Sequence, residues 1–353
     1  VLSVKPVVSV TTADGTETTF ATLADAIAAA KDGETVTLLD NITVNELIKI
    51  EKEITLDLNG KTVTAANDTI NLEIYSNLTI KDSVGGGVST FRNHWVKAGK
   101  LTLESGTLQN IATASGGFGV SVEAGSTFVM NGGTVKAVNQ GNYAISVKAD
   151  ATAEINGGVI SGNFGGINNS GTLIINDAEI NVTAGIGGHC VYVASSGVTT
   201  INGGDFNPFN KNTTASSYSA YVAANGKLVV TGGSFEATVY GQFACSGAAN
   251  ADIAISSGTF DTTVPEKYCA EGFIPTENAD GTYGVKVGKY VAQVGETKYE
   301  NLQEAIAAAT LTDTMIDCPN GESFRRRVQQ KIVNTRQKYS IVVFSICAPA
   351  VPR

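Results

Sequence analysis

Along most of the chain, apolar and polar residues alternate in short bursts, the period of a strand with one face buried. The bursts recur. Aligning LESGTLQ, MNGGTVK, INGGVIS, INDAEIN, INGGDFN, VTGGSFE and ISSGTFD places Thr107, Thr134, Val159, Glu179, Asp205, Ser234 and Thr259 at one point of a unit that returns about every 25 residues. Down the units, one apolar column reads Leu58, Ile80, Leu103, Met130, Ile155, Ile175, Ile201, Val230, Ile255. A second, two residues earlier, reads Leu56, Leu78, Leu101, Phe128, Ala153, Leu173, Thr199, Leu228, Ile253. After the turn come Leu108, Val135, Ile160, Ile180, Phe206, Phe235 and Phe260, and a further strand supplies Val122, Val147, Ile167, Val193 and Val222. Three short strands per unit, each feeding a column of like residues, predict an all-β parallel β-helix whose coils pair above and below at roughly 4.8 Å.

The turns and the end carry their own signals. The residue after the Ile column is Asn131, Asn156, Asn176 and Asn202, then Thr231 and Ser256, so stacked amides are expected to hydrogen-bond along the axis. Gly132, Gly157 and Gly203 follow directly, where a sharp corner favours a residue free to take positive φ. An open final coil is a template for aggregation, and TLADAIAAAK answers that problem. Thr22 with Asp25 forms an N-cap pair, and Leu23, Ala26, Ile27 and Ala30 share one apolar stripe, predicting a helix laid over the first coil. The same opening returns at residues 301–315 as NLQEAIAAATLTDTM.

Composition narrows the partners. The 39 glycines fit many tight turns, and a net charge of -9 argues against a polyanionic partner such as nucleic acid or an anionic membrane face. The apolar run from Ile341, IVVFSICAPAV, falls short of the roughly 20 residues a membrane-spanning helix needs, so no membrane insertion is expected. The five cysteines show no CxxC spacing, which indicates free thiols rather than a zinc site or a dense disulfide framework. No signal peptide is visible in VLSVKPVVSV, and the start without Met leads us to expect a leader removed or left outside this sequence.

FATLADAIAAAKDGETVTLLDNITV, the following ITLDLNGKTV and the repeated INGG turns together resemble the parallel β-helix modules, of the pectin lyase-like fold, of secreted and surface proteins of gut and other Gram-positive bacteria. VPEKYCAEGFIPTENADGTYGVK, residues 264–286, is similar to the segment that ends such a module. The resemblance covers about residues 7–309. It implies a right-handed, single-stranded β-helix with an N-terminal capping α-helix, an extracellular or cell-surface location, and an adhesive or structural role. The expected organisation is an N-terminal strand and cap helix at 1–35, the β-helix at 36–262, and a closing segment with the start of a second, truncated module at 263–310. Residues 311–353 lose the Gly and Asn turns and carry seven basic against three acidic residues. They are expected to be foreign to the fold, from a truncated or frame-shifted coding region, with a basic partner-binding tail as the alternative.

Chemistry on the solenoid is sparse. A pectate lyase-like reaction would need Arg as base with a calcium site, yet residues 1–310 hold a single Arg, Arg92, in TFRNHWVKAG beside His94 and Trp95. That cluster is a candidate sugar contact, weighed against a loop that merely anchors Trp95 in the coil edge. Glycoside hydrolysis needs two facing carboxyls, and Glu179 with Asp205, in one outward column of consecutive coils with Asp177 near the corner, is the candidate pair. The family's paired-Asp motif and its Gly-His-Gly and Arg-x-Lys partners are missing, and His189 in IGGHCVY has no companion Arg or Lys. Calcium could bridge neighbouring carboxylates, but no calcium loop is present, so no metal or other cofactor is assigned. Tyr192 and Tyr221 are expected at one lateral position of adjacent coils, in line with Ser121, Ser146 and Asn168, as a strip suited to a glycan or a host or cell-surface protein. The leading expectation is a non-catalytic extracellular module for adhesion, carbohydrate or host-surface binding, or rigid spacing. The alternative is a polysaccharide lyase or glycoside hydrolase.

Overall fold

Each repeat contributes one short strand to each of three parallel sheets, and the result is the expected right-handed parallel β-helix. The computed structural model describes residues 5–111, 116–138, 142–183, 188–208, 218–236 and 243–308, so the expectation for residues 311–353 lies outside the described residues. One coil runs Thr127–Met130, Thr134–Ala137 and Tyr143–Val147, and the next runs Thr152–Ile155, Val159–Gly162 and Gly165–Asn169. We call the sheets containing Thr152–Ile155, Val159–Gly162 and Gly165–Asn169 the first, second and third.

The inward columns form the core, with Leu103, Met130, Ile155, Ile175, Ile201, Val230 and Ile255 all fully buried. Each such side chain contributes about 1.5–3 kcal/mol by leaving water. Phe206, Phe235 and Phe260 stack at strand spacing, with ring centroids 4.6 and 4.9 Å apart. Two columns differ from expectation by a slip of two residues, which keeps the inward parity of a strand and so leaves the alternation unchanged. Leu56, not Leu58, is level with Ile80. Asn169, not Ile167, is level with Val147 and Val193. Asn169 is fully buried, and its amide is satisfied by donating to the Val198 carbonyl and Thr199 Oγ1 and accepting from the Gly171 N–H.

The asparagine column forms a continuous ladder. Asn202 donates to Asn176 at 2.8 Å, Asn176 to Asn156 at 2.7 Å, Asn156 to Asn131 at 3.0 Å, and Asn131 to the Glu104 carboxylate at 2.9 Å. Thr231 joins the far end at 2.7 Å, whereas Ser256 turns to the Val230 carbonyl. The glycine expectation is corrected by one position. Positive φ falls on the second glycine, as in Gly133 and Gly158, while Gly132 and Gly157 stay outside that region. The first glycine is needed for space instead: a Cβ on Gly157 would lie 3.2 Å from the Asn131 carbonyl oxygen of the coil above.

The N-terminal cap has two parts. A helix, Leu23–Ala29, starts as expected, with Thr22 accepting from the Asp25 N–H, and it buries Leu23, Ala26 and Ala30. Lys52 ties its last turn down by donating to the carbonyls of Ala28 and Ala30. The expected single strand before it is an antiparallel hairpin, Val8–Thr11 with Glu17–Phe20, which extends the first sheet beyond Thr35–Leu38. At the other end Ile255 bridges Cys269, and Tyr283 pairs antiparallel with Phe260.

The described residues divide into two compact units, one within residues 5–270 with Pro275–Val285, the other Glu271–Ile274 with residues 286–308. In the second, a hairpin of Ala292–Val294 and Thr297–Tyr299 precedes a helix, Leu302–Ala308. Ala292, Val294 and Ala305 are its buried centre. This small unit repeats the hairpin-then-helix order of the first cap.

Candidate functional site

The outward face of the third sheet collects most of the aromatic candidates. Alternation sends the next-to-last residue of each of these strands outward, and strand register stacks these residues into a line. That line runs Glu73, Trp95, Ser121, Ser146, Asn168, Tyr192, Tyr221, Ser246. Trp95 therefore lies in a strand, His94–Val96, rather than in an anchoring loop, and it shares its column with both tyrosines. The sequence reading treated Trp95 and the tyrosine strip as separate features.

Around Tyr192 and Tyr221 the rings form a platform. Tyr192 and Tyr221 stack with centroids 6.0 Å apart and planes 9° from parallel. His189 lies against both, at 6.1 and 5.1 Å, and Tyr218 completes the group at 5.7 Å from His189 and 5.9 Å from Tyr221. The three tyrosines are half-buried and His189 is nearly enclosed. Burial drives the His189 pKa down to about 4, so the ring is neutral near pH 7. Its Nδ1 accepts from the Tyr218 N–H at 3.0 Å, which leaves the proton on Nε2 as a donor among the tyrosines. Tyr218 and His189 were missed as ring partners, although each precedes its outward tyrosine by three residues, a spacing visible in HCVY and YSAY.

Trp95 is held by two neighbours. Its Nε1 donates to Glu123 at 2.7 Å, and Lys97 Nζ lies 4.0 Å from its ring centroid, a cation–π contact. Lys97 is also paired with Glu73 at 3.0 Å, and Glu73 accepts from the Tyr75 hydroxyl at 2.7 Å. Burial raises the Glu73 pKa, but the bonds from Tyr75 and Lys97 outweigh it, so the carboxyl stays ionised below its ordinary range. The other members of the expected cluster are committed elsewhere. Arg92 donates to the Asp68 carbonyl at 2.9 Å. His94 points inward, fully buried, between Ser89 Oγ and the Gly119 carbonyl.

The carboxylate pair lies on a different sheet. Glu179 and Asp205 are register partners on the second sheet, as expected, and both are exposed. Glu179 accepts from Asn181, which in turn accepts from Asn207. Asp177 is exposed near the corner before them. Both carboxylates are exposed, whereas hydrolysis of a sugar relies on a site that excludes water and orients it. Two carboxylates are also far from the six to eight oxygens calcium takes, and no cluster of three or more metal-ligating side chains occurs among the described residues.

Comparison of the chain with protein-family models, curated proteins and solved structures gives no match. The site must be read from its own geometry.

Proposed function

We propose that the solenoid is a non-catalytic binding module that takes a carbohydrate on the outward face of its third sheet. The observation that carries this reading is the four-ring platform of His189, Tyr192, Tyr218 and Tyr221. Half-exposed rings with polar tips offer an apolar surface to the C–H faces of a sugar and hydrogen bonds to its hydroxyls. The stiff stack of coils positions these groups without loop rearrangement, as a binding face requires. An extracellular, cell-surface setting and an adhesive role, as in the pectin lyase-like modules the sequence resembles, belong to the same proposal.

The test is a glycan array followed by calorimetry on the best hits, with Tyr192→Ala and Tyr221→Ala alongside the parent protein. Binding that both variants weaken about tenfold or more supports the reading. Binding that both leave untouched places the ligand elsewhere. A hydrolase remains the second reading because Glu179 and Asp205 do fall in register; product release abolished by Glu179→Gln or Asp205→Asn would establish it instead.

A further inference from the structure

The platform is one end of a longer aromatic track. Three residues before the outward column, the same coils carry Phe118, Tyr143, His189, Tyr218 and Phe243, a second line running beside Ser121, Ser146, Tyr192, Tyr221 and Ser246. In the coil where Gly165 takes that place, Phe164 packs edge-on against Tyr143 at 5.4 Å. A Cβ on Gly165 would collide with the Tyr143 ring, so the glycine makes room for it. From Trp95 to Tyr221 the middle column has uncharged side chains in each coil, with Ser121 and Ser146 buried and Asn168 half-buried between the aromatic ends.

The charges nearest Trp95 are already paired. Lys97 is shared between Glu73 and the Trp95 ring, Lys148 lies 5.6 Å from the Phe118 centroid, and Glu123 holds the indole N–H. An anionic sugar would have to take Lys97 from a well-placed carboxylate, whereas hydroxyls can be bonded by the half-buried Asn168 amide and the tyrosine hydroxyls with that ion pair intact.

From this we infer that the ligand is an uncharged polysaccharide lying along the solenoid axis, gripped at Trp95 and at the tyrosine platform together. This rests on the carbohydrate reading and adds its charge, direction and minimum length. Trp95 and Tyr192 are four coils apart in register, so the ligand must span roughly 19 Å at 4.8 Å per strand. Shorter oligosaccharides reach one end only, and joining the two ends adds affinity through effective concentration.

The experiment measures affinity for a length series of neutral β-1,4-linked gluco-oligosaccharides and α-1,4-linked malto-oligosaccharides, with oligogalacturonates of matching lengths. The proteins are the parent chain, Trp95→Ala, Trp95→Tyr and Tyr221→Ala, each checked for an unchanged melting curve. Trp95→Tyr keeps a ring in place should the alanine variant fail to fold. The expected result is a rise of at least tenfold once a neutral chain spans both ends, lost in Trp95→Ala, largely kept in Trp95→Tyr, and absent for shorter chains. Tyr221→Ala weakens every length. Neutral binding without a length step, or a step insensitive to Trp95, overturns the axial two-point inference and leaves the platform reading standing. Stronger binding of oligogalacturonates overturns the uncharged class. No binding of any probe by the parent chain fails the carbohydrate reading itself for these sugars, and with it this inference.

Discussion

Acidification from pH 7 to pH 5 should destabilise the first unit through its two histidines. His94 is fully buried, and burial pushes its pKa from 6.5 down to about 4, only partly offset by its bond to the Gly119 carbonyl. His189 is driven down to about 4 by burial as well. Because the folded values lie below the unfolded one, the unfolded chain takes up protons first as pH falls. The stability these neutral rings contribute is fully present above pH 6.5, is lost progressively between 6.5 and about 4, and changes no further below that. At about 1.4 kcal/mol per pH unit for each group, one histidine costs about 2 kcal/mol at pH 5, and the pair about 4 kcal/mol. Asp82 does not confuse this window. Burial opposes ionisation of Asp82, but the N–H groups of Gly87 and Gly60 outweigh it and keep its pKa below the ordinary value, so its contribution is lost at more acid pH. The assay is urea denaturation at half-unit steps from pH 7.5 to 4.5, followed by fluorescence of Trp95, the chain's one tryptophan and the neighbour of His94. A flat stability profile between pH 6.5 and 5, or NMR titration of both imidazoles near pH 6.5 in the folded protein, would refute the reasoning.

Other expectations concern the repeat itself. Asn176→Ala removes one bond donated to Asn156 and one accepted from Asn202, and should cost about 1–3 kcal/mol in denaturant titration, more than Ser256→Ala outside the ladder. Gly158→Ala should destabilise more than Gly157→Ala, since Gly158 has φ of 95° and its Cβ would meet the Gly133 carbonyl oxygen at 2.5 Å; the reverse order of melting temperatures would count against the assigned turn. Phe235→Ala opens a gap between Phe206 and Phe260 and should cost about 3–5 kcal/mol, read by the same denaturation curves.

The parallel coils, the cap helix and the asparagine ladder were legible because each is written as a periodic sequence signal: alternation, a Thr–Asp cap, and a polar residue at one place in each unit. What was not legible follows from the same periodicity. A two-residue slip preserves strand parity, so Ile167 looked as good as Asn169 until register placed the amide beside Thr199. Gly157 and Gly158 are identical in sequence, and only the neighbouring coil tells the one that needs space from the one that needs positive φ. Tyr192 with Tyr221 could be aligned by inspection, but joining Trp95 to them required counting register through turns of unequal length. Glu179 with Asp205 was also foreseen, yet register alone does not say whether two carboxyls are shielded from water.

The asparagine ladder has a direction. Asn202, Asn176, Asn156 and Asn131 each give their N–H to the coil before, and the last gives it to the Glu104 carboxylate. The amide dipoles thus add head to tail, with the positive end resting on an anion. Turning one amide over would set oxygen against oxygen on one side and hydrogen against hydrogen on the other, so the orientation belongs to the whole row. Glu104 can only accept while ionised, so it selects which way the row points. A coil inserted without an amide at this place would cut the row in two and leave the distal half without that instruction.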